Sequence, residues 1–516
     1  MQNDNEHIKP ASNMRDGFRA HNIVINFFGQ IIPLIVGVFA IPFVIRGLGV
    51  ESFGILSFAW MFLGYFTIFD LGLGRATTKF ISEELNKGAT KDLRSLFWTS
   101  CWMNLFLGFI GGIIIASMAS FLAENVFRIP QGLISAARTT FFILAASCPV
   151  VLVSTAFRGT LEAAQRFEYV NTVAAVASSL NFLLPMAGFF MGFDIRGIIL
   201  LLMISRLCSA LAYLFLCFKV FPILREGVSI EGKRIRQLLK YGGWVSVSNV
   251  VQPILSYLDR FFIGSMISIA AVAYYTAPFE IVTRLSILPT SLTMILFPVF
   301  SSVDSGAREN LASLYFRSLK FLLILIVPLI AVLVLFAGDI LQLWLGSRFS
   351  EISTVVFQIL AAGVLMNSLA QVPFALIQGF GHPDIAAKFH LLELLLYIPL
   401  MWLLVMHMGI VGGAIAWTIR VSLDSLLLFV ASGKFMNFRT FLDNGLKRGI
   451  TLVVFLMCTL LSSLLFPMTI VAKAVITSAV LIVFSLTSWR FVLDAKEREL
   501  IISAYCHIAS TIRGVK

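Results

Sequence analysis

Residues 241–266 read YGGWVSVSNVVQPILSYLDRFFIGSM. As a helix this run would rise about 39 Å, more than the roughly 30 Å hydrocarbon layer of a bilayer. Along it lie Asn249, Gln252, Ser256, Asp259 and Arg260. At about 100° per residue they fall within an arc of about 100°. Lipid offers such a stripe no hydrogen-bond partner, so the run predicts a transmembrane helix whose polar face meets protein or water.

Outward from this run the whole chain has the same character. Its 516 residues are 59% hydrophobic and 13% charged, with a mean hydropathy of +0.92. Soluble domains carry about 25% charged residues. A water-soluble fold, a disordered chain and a nucleic-acid binder are excluded, and an all-α polytopic membrane protein is expected. The net charge of +12 fits loops lying beside anionic lipid. Fourteen spans are expected, at about 22–46, 52–80, 95–122, 133–158, 169–192, 197–219, 241–266, 271–299, 316–337, 352–377, 386–406, 411–431, 449–468 and 471–492. Residues 1–21 are polar and of mixed charge, and the first apolar run is a full span, so no cleavable signal is expected. With the N-terminus inside, 29 of the 39 Lys and Arg fall on inner segments and 6 on outer ones, which places both termini in the cytoplasm. The remaining four are Arg206, Arg260, Arg284 and Arg420, all within spans. The cysteines at 101, 148, 208, 217, 458 and 506 lie mostly in apolar runs without metal spacing and read as small buried hydrophobes.

The two halves resemble each other. Span 1 carries Asn26, Gln30 and Pro33 before a very short outer turn, and span 7 carries Asn249, Gln252 and Pro253 before another. The expected organisation is a tail at 1–21, an N-lobe at 22–222, a cytoplasmic linker at 223–240, a C-lobe at 241–432, two further spans at 433–492 and a tail at 493–516. The lobes would be parallel six-span repeats. Further polar stripes run through span 1 (Asn22, Asn26, Gln30), span 4 (Thr140, Ser147, Ser154, Arg158), span 5 (Asn171, Ser178, Asn181), span 8 (Thr276, Glu280, Thr283, Arg284, Thr290, Ser291) and span 10 (Asn367, Gln371, Gln378). Stripes in both halves predict a hydrated central cavity.

The charges within spans are Asp70, Arg206, Asp259, Arg260, Glu280, Arg284, Glu393, Arg420 and Asp424. Each costs about 2.5–3.5 kcal/mol at mid-span, so each needs a partner or a cavity. Glu280/Arg284 and Arg420/Asp424 are spaced to pair on their own helices. Arg206 and Glu393 have no such local partner. A guanidinium stays charged in any environment and grips phosphate with two parallel hydrogen bonds. No phosphate-binding loop for ATP occurs. The six His are scattered, no metal cluster is expected, and no cofactor is implied. No large outer loop could house glycosyl-transfer or polymerisation chemistry.

The segment Leu48-Gly49-Val50-Glu51-Ser52-Phe53-Gly54, followed by Phe69-Asp70-Leu71-Gly72-Leu73-Gly74-Arg75-Ala76, resembles the opening of polysaccharide-unit flippases. These are the O-antigen (Wzx-like) transporters of the multidrug/oligosaccharidyl-lipid/polysaccharide flippase superfamily. The resemblance implies a V-shaped pair of helix bundles around a cationic cavity in the plasma (inner) membrane. It implies a substrate of undecaprenyl-diphosphate-linked oligosaccharide, moved from the inner to the outer leaflet by alternating access, with H+ or Na+ antiport. Membrane lipids, a polysaccharide polymerase and chain-length proteins are the implied partners. Arg206, Arg260, Arg284 and Arg420 are then the candidates for holding the diphosphate or acidic sugars, with Arg158 at a cavity mouth and Asn249 and Gln252 beside them. An ion-coupling carboxylate should face the cavity without a permanent basic partner. Glu393 is the first choice, then Asp70 and Asp259. Two other readings are an ion-coupled multidrug or metabolite exporter, for which more unopposed carboxylates are expected, and a membrane-embedded sugar polymerase, which the missing outer loop disfavours.

Overall fold

The computed structural model describes residues 32–33, 35–87, 90–301, 308–435, 444–462, 469–495, 497–499 and 502–503, and among these no strand occurs. The tail at 1–21, the span 1 residues Asn22, Asn26 and Gln30, and the side chain of Asn249 lie outside the described residues. The chain forms two compact units, Met1–Tyr257 and Leu258–Lys516. The first holds α1 (Ile35–Leu48), α2 (Val50–Phe69), α3 (Leu73–Lys87), α4 (Thr90–Phe121), α5 (Gln131–Ala163), α6 (Phe167–Phe190), α7 (Ile195–Val220) and most of α8 (Gly232–Met266). The second holds the end of α8, then α9 (Ile269–Thr283), α10 (Ile287–Ser301), α11 (Arg308–Leu335), α12 (Ala337–Leu345), α13 (Ser347–Gly379), α14 (Pro383–Ser432), α15 (Asn444–Ser462) and α16 (Ile470–Thr487). Among the described residues, eight helices are long and apolar enough to cross a bilayer. Large apolar side chains such as Phe39 and Leu395 stand about 70% exposed, as a surface solvated by lipid tails allows.

Two breaks depart from the expected spans. The run 52–80 is not one helix. It stops at Asp70, where Leu71 (φ 46°) and Gly72 (φ 73°) adopt left-handed backbone. Asp70 then caps α3, both carboxylate oxygens accepting from the Gly74 N–H at 3.2 and 3.3 Å. Capping of this kind satisfies one of the N–H groups a helix start leaves open. Thr155 of α5 donates to the same carboxylate at 2.9 Å, tying the break to the neighbouring helix. The second break is inside α14. Glu393 and Arg420 are 27 residues apart, about 40 Å along a straight helix, yet their side chains meet at 3.2 Å. The chain reverses at Gly409 (φ 58°, ψ −137°), backbone that a residue with a Cβ would strain to adopt. The halves of α14 on either side of Gly409 cover the expected spans at 386–406 and 411–431.

Unit 1 packs around Leu73, Phe80, Leu96, Phe97, Phe157 and Tyr213, and unit 2 around Leu296, Leu311, Tyr315, Leu322, Val372 and Leu376. Cys101, Cys148 and Cys217 are buried as expected, while Cys208 is exposed. The segment expected as a linker at 223–240 is fastened to unit 1. Trp98 Nε1 donates to the Leu224 carbonyl at 3.1 Å, and Arg234 meets Asp92 at 3.0 Å and the buried Glu84 at 3.4 Å. The segment after α16 is likewise docked. Glu497, 1% exposed, receives Lys320 at 2.7 Å and Arg317 at 3.1 Å.

Candidate functional site

Six hydroxyls of the polar stripes are satisfied within their own helices, whereas Thr140 Oγ1 and Thr276 Oγ1 are buried without a hydrogen-bond partner among the described residues. Ser147, Ser154, Ser256, Thr283, Thr290 and Ser291 each donate to a carbonyl three or four residues back, at 2.7–2.8 Å. Such back-bonding answers the hydroxyl without water, so these members of the stripes do not themselves require a cavity. The charged members do require an explanation, and the two units supply different ones.

In unit 1, α7 carries Arg206 half-buried among apolar neighbours. Its Nη2 donates to Asn181 Oδ1 of α6 at 3.1 Å. Among the described residues, no carboxylate reaches it within ion-pair distance. About two turns further along α7 stands Tyr213, buried, donating to the Val170 carbonyl at 3.2 Å. Arg206, Arg158 and Glu162 all lie within electrostatic reach of the Tyr213 hydroxyl. Arg158 and Glu162 are bonded to each other at 2.7 Å on α5. The cluster therefore holds two guanidinium groups against one carboxylate. A cation in apolar surroundings with only an amide for company is costly, and a bound anion would offset that cost. Tyr213 was not singled out in the sequence, because a tyrosine in an apolar run gives no signal distinct from packing.

Unit 2 compensates its arginines. Glu280 of α9 accepts from Arg284 at 2.8 Å, the pairing expected from their spacing, and also faces Arg260 of α8 at 3.7 Å. Arg260 lies over the Phe279 ring, 4.6 Å from its centre, a placement favourable for a guanidinium. Asp259 is fully buried and accepts the Tyr275 hydroxyl at 2.7 Å. Both arginines thus meet one carboxylate, Glu280, while Asp259 is held by the Tyr275 hydroxyl and the Arg260 backbone N–H. Gln252, the remaining span 7 candidate, is exposed.

A second unit 2 cluster joins the halves of α14. Arg420 was spaced to pair with Asp424. It instead reaches back to Glu393 Oε2 at 3.2 Å and lies over the Tyr397 ring at 5.4 Å. Glu393 therefore acquires a basic partner that its own helix does not provide. Its other oxygen, Oε1, has no hydrogen-bond partner among the described residues, and Asp424 Oδ1 has none either. Asp70, the other coupling candidate, is engaged by Gly74 and Thr155 as the cap of α3.

The polysaccharide biosynthesis protein family matches residues 20–304, more than half of the chain. A Shigella flexneri protein bearing the name "Putative O-antigen transporter" is 30% identical over 416 residues, covering 79% of this chain and 96% of its own. Among solved structures, the lipid II flippase MurJ in an inward closed conformation superposes with a TM-score of 0.70 over 91% of this chain and 99% of its own, at 15% identity. An inward-facing multidrug resistance MATE family transporter of the MOP superfamily gives 0.67 over 80% and 97%, at 16% identity. These two likenesses establish the fold as that of polytopic helical transporters. By the family match and the 30% identity together, the chain belongs to the polysaccharide biosynthesis protein family.

Proposed function

We propose that this chain is a flippase, not an enzyme, that moves undecaprenyl-diphosphate-linked oligosaccharide from the inner to the outer leaflet of the plasma (inner) membrane for surface polysaccharide export. Family membership and the O-antigen transporter relative support the substrate class. The observation that carries the reading is Arg206, a half-buried guanidinium whose partner is a neutral amide, with Arg158 close by around Tyr213. A diphosphate oxygen is the ligand such a fork suits. Arg260, Arg284 and Arg420 already answer carboxylates and serve the substrate only if those pairs open.

No ATP-binding loop is present, so movement against a gradient would draw on H+ or Na+. Of the coupling candidates, Glu393 stays first although Arg420 holds its Oε2, because its buried Oε1 has no hydrogen-bond partner among the described residues, whereas Asp259 and Asp70 are held by Tyr275 and by Gly74 with Thr155. The proposed topology is fourteen spans in two lobes plus a C-terminal pair, with both ends cytoplasmic. Reporter fusions after residue 230 should read inside and fusions after 128 and 348 outside. Polymerase and chain-length proteins are the proposed functional partners.

Deletion of the gene should cause lipid-linked oligosaccharide to accumulate on the inner leaflet. Expression of the wild type should clear it, and Arg206→Ala at normal protein level should not. A deletion strain with no such accumulation but with raised sensitivity to cationic drugs would favour the exporter reading, which the likeness to the MATE transporter shares at the level of fold alone.

A further inference from the structure

The folding back of α14 at Gly409 does more than pair Glu393 with Arg420. It brings His390, Glu393 and Asp424 together, one ligating atom from each lying within 4.8 Å of the others. His390 and Glu393 are three residues apart and share a helix face, and Asp424 comes from the returning half. Glu393 is 1% exposed. Arg420 engages Oε2 and thereby fixes the carboxylate, leaving Oε1 without a donor, and Asp424 Oδ1 is in the same condition. Two buried carboxylate oxygens without a partner among the described residues, one imidazole and one arginine engaged with the other oxygen of Glu393 make an arrangement short of positive charge at its centre. Buried oxygens without donors are costly, and a cation set between them removes the cost.

We propose that His390, Glu393 and Asp424 form a binding site for a divalent transition-metal ion of the zinc class. The imidazole decides the class, since nitrogen donors suit Zn2+ and its neighbours, whereas Mg2+ and Ca2+ take oxygen ligands alone. Three protein ligands leave a fourth position open on a tetrahedral ion. Bonds of about 2.1 Å place donor atoms about 3.4 Å apart, so the donors close in by roughly 1 Å on binding, within reach of side-chain rotation. Arg420 plays the part of an outer partner that orients a ligating carboxylate. The metal would clamp the two halves of α14 on either side of Gly409. The site does not depend on the transport reading. It shares Glu393 with the proposed coupling step, where metal and coupling ion would compete for Oε1.

The experiment uses the full-length chain in nanodiscs, purified without a polyhistidine tag and titrated with Zn2+ alone by calorimetry. The expected result is one equivalent bound, a rise in melting temperature on binding, and nitrogen and oxygen but no sulfur neighbours by X-ray absorption. His390→Gln and Asp424→Asn should each weaken binding by roughly tenfold or more, while their metal-free elution and melting profiles match the wild type. Should either variant fail to fold, His390→Phe, which keeps a planar ring without a donor nitrogen, takes its place, with the same expected loss. Failure of the wild type to bind Zn2+, equal binding by the variants, sulfur neighbours of the metal, or abolition of the signal by Na+ at ordinary salt would each overturn the proposal. Because no substrate is present, neither result bears on whether the chain is a flippase.

Discussion

The two units answer the arginines within their spans differently. In unit 2, Arg260 and Arg284 converge on Glu280 and Arg420 takes Glu393, and at what the proposed topology makes the cytoplasmic side Lys320 with Arg317 takes Glu497. In unit 1, Arg206 has an amide. A paired charge in an apolar interior recovers part of what its burial costs and becomes hard to remove. An unpaired one contributes little to the fold, and on the proposed function it is retained for a ligand. Stability and transport should therefore separate along this line, with loss of a buried paired charge removing protein and loss of Arg206 removing activity.

The largest effect is expected at Lys320, which with Glu497 is about 98% buried or more. Lys320→Met leaves the Glu497 carboxylate buried and short of its closest partner, and should destabilise by about 3–5 kcal/mol. Adding Glu497→Gln should return much of the loss. Denaturant unfolding in micelles measures both, and a neutral single variant would break the comparison. Next comes Glu393→Ala, which strands Arg420 at the same junction as Gly409. It should lower stability by about 3 kcal/mol, with recovery in Glu393→Ala/Arg420→Met. An intermediate effect is expected at Asp70. Asp70→Ala removes the cap of α3 and should cost about 1–2 kcal/mol, whereas Asp70→Asn, which keeps an acceptor, should cost less and leave transport intact. Loss of the response to an imposed ion gradient in Asp70→Asn at normal stability would instead make Asp70 a coupling residue. The smallest effect is expected at Arg284, whose side chain is 35% exposed. Arg284→Gln should change stability by about 0.5 kcal/mol or less.

The fold class was legible because its signals are local. Long apolar runs, short connections and the charge asymmetry need no knowledge of contacts. Asp70 was visible as part of a motif, but its role as a cap was not, since a hydrophobic count reads 52–80 as one span and overlooks the left-handed Leu71 and Gly72. Arg206 could be found because a lone guanidinium in an apolar run is conspicuous at any distance. Periodicity does not distinguish a hydroxyl that faces water from one that answers its own helix, as Ser147 and Thr290 do. The partnership of Glu393 with Arg420, and of His390 with Asp424, is long-range. Sequence spacing within one turn cannot report it, and it depends on a reversal at one glycine. Spacing also suggested that Arg420 and Asp424 would pair, and the competing carboxylate across the hairpin took the arginine instead.

The most direct measurement is transport itself, made on purified protein in proteoliposomes with a fluorescent undecaprenyl-diphosphate-linked oligosaccharide, read by chemical quenching of the outer leaflet. The wild type should equilibrate the lipid between leaflets. Arg206→Ala should lose at least about tenfold in rate at unchanged melting temperature, and Arg206→Lys should recover only part of it, because a lysine lacks the planar fork. Full-rate transport by Arg206→Ala, or no movement of the lipid by the wild type, would contradict the account.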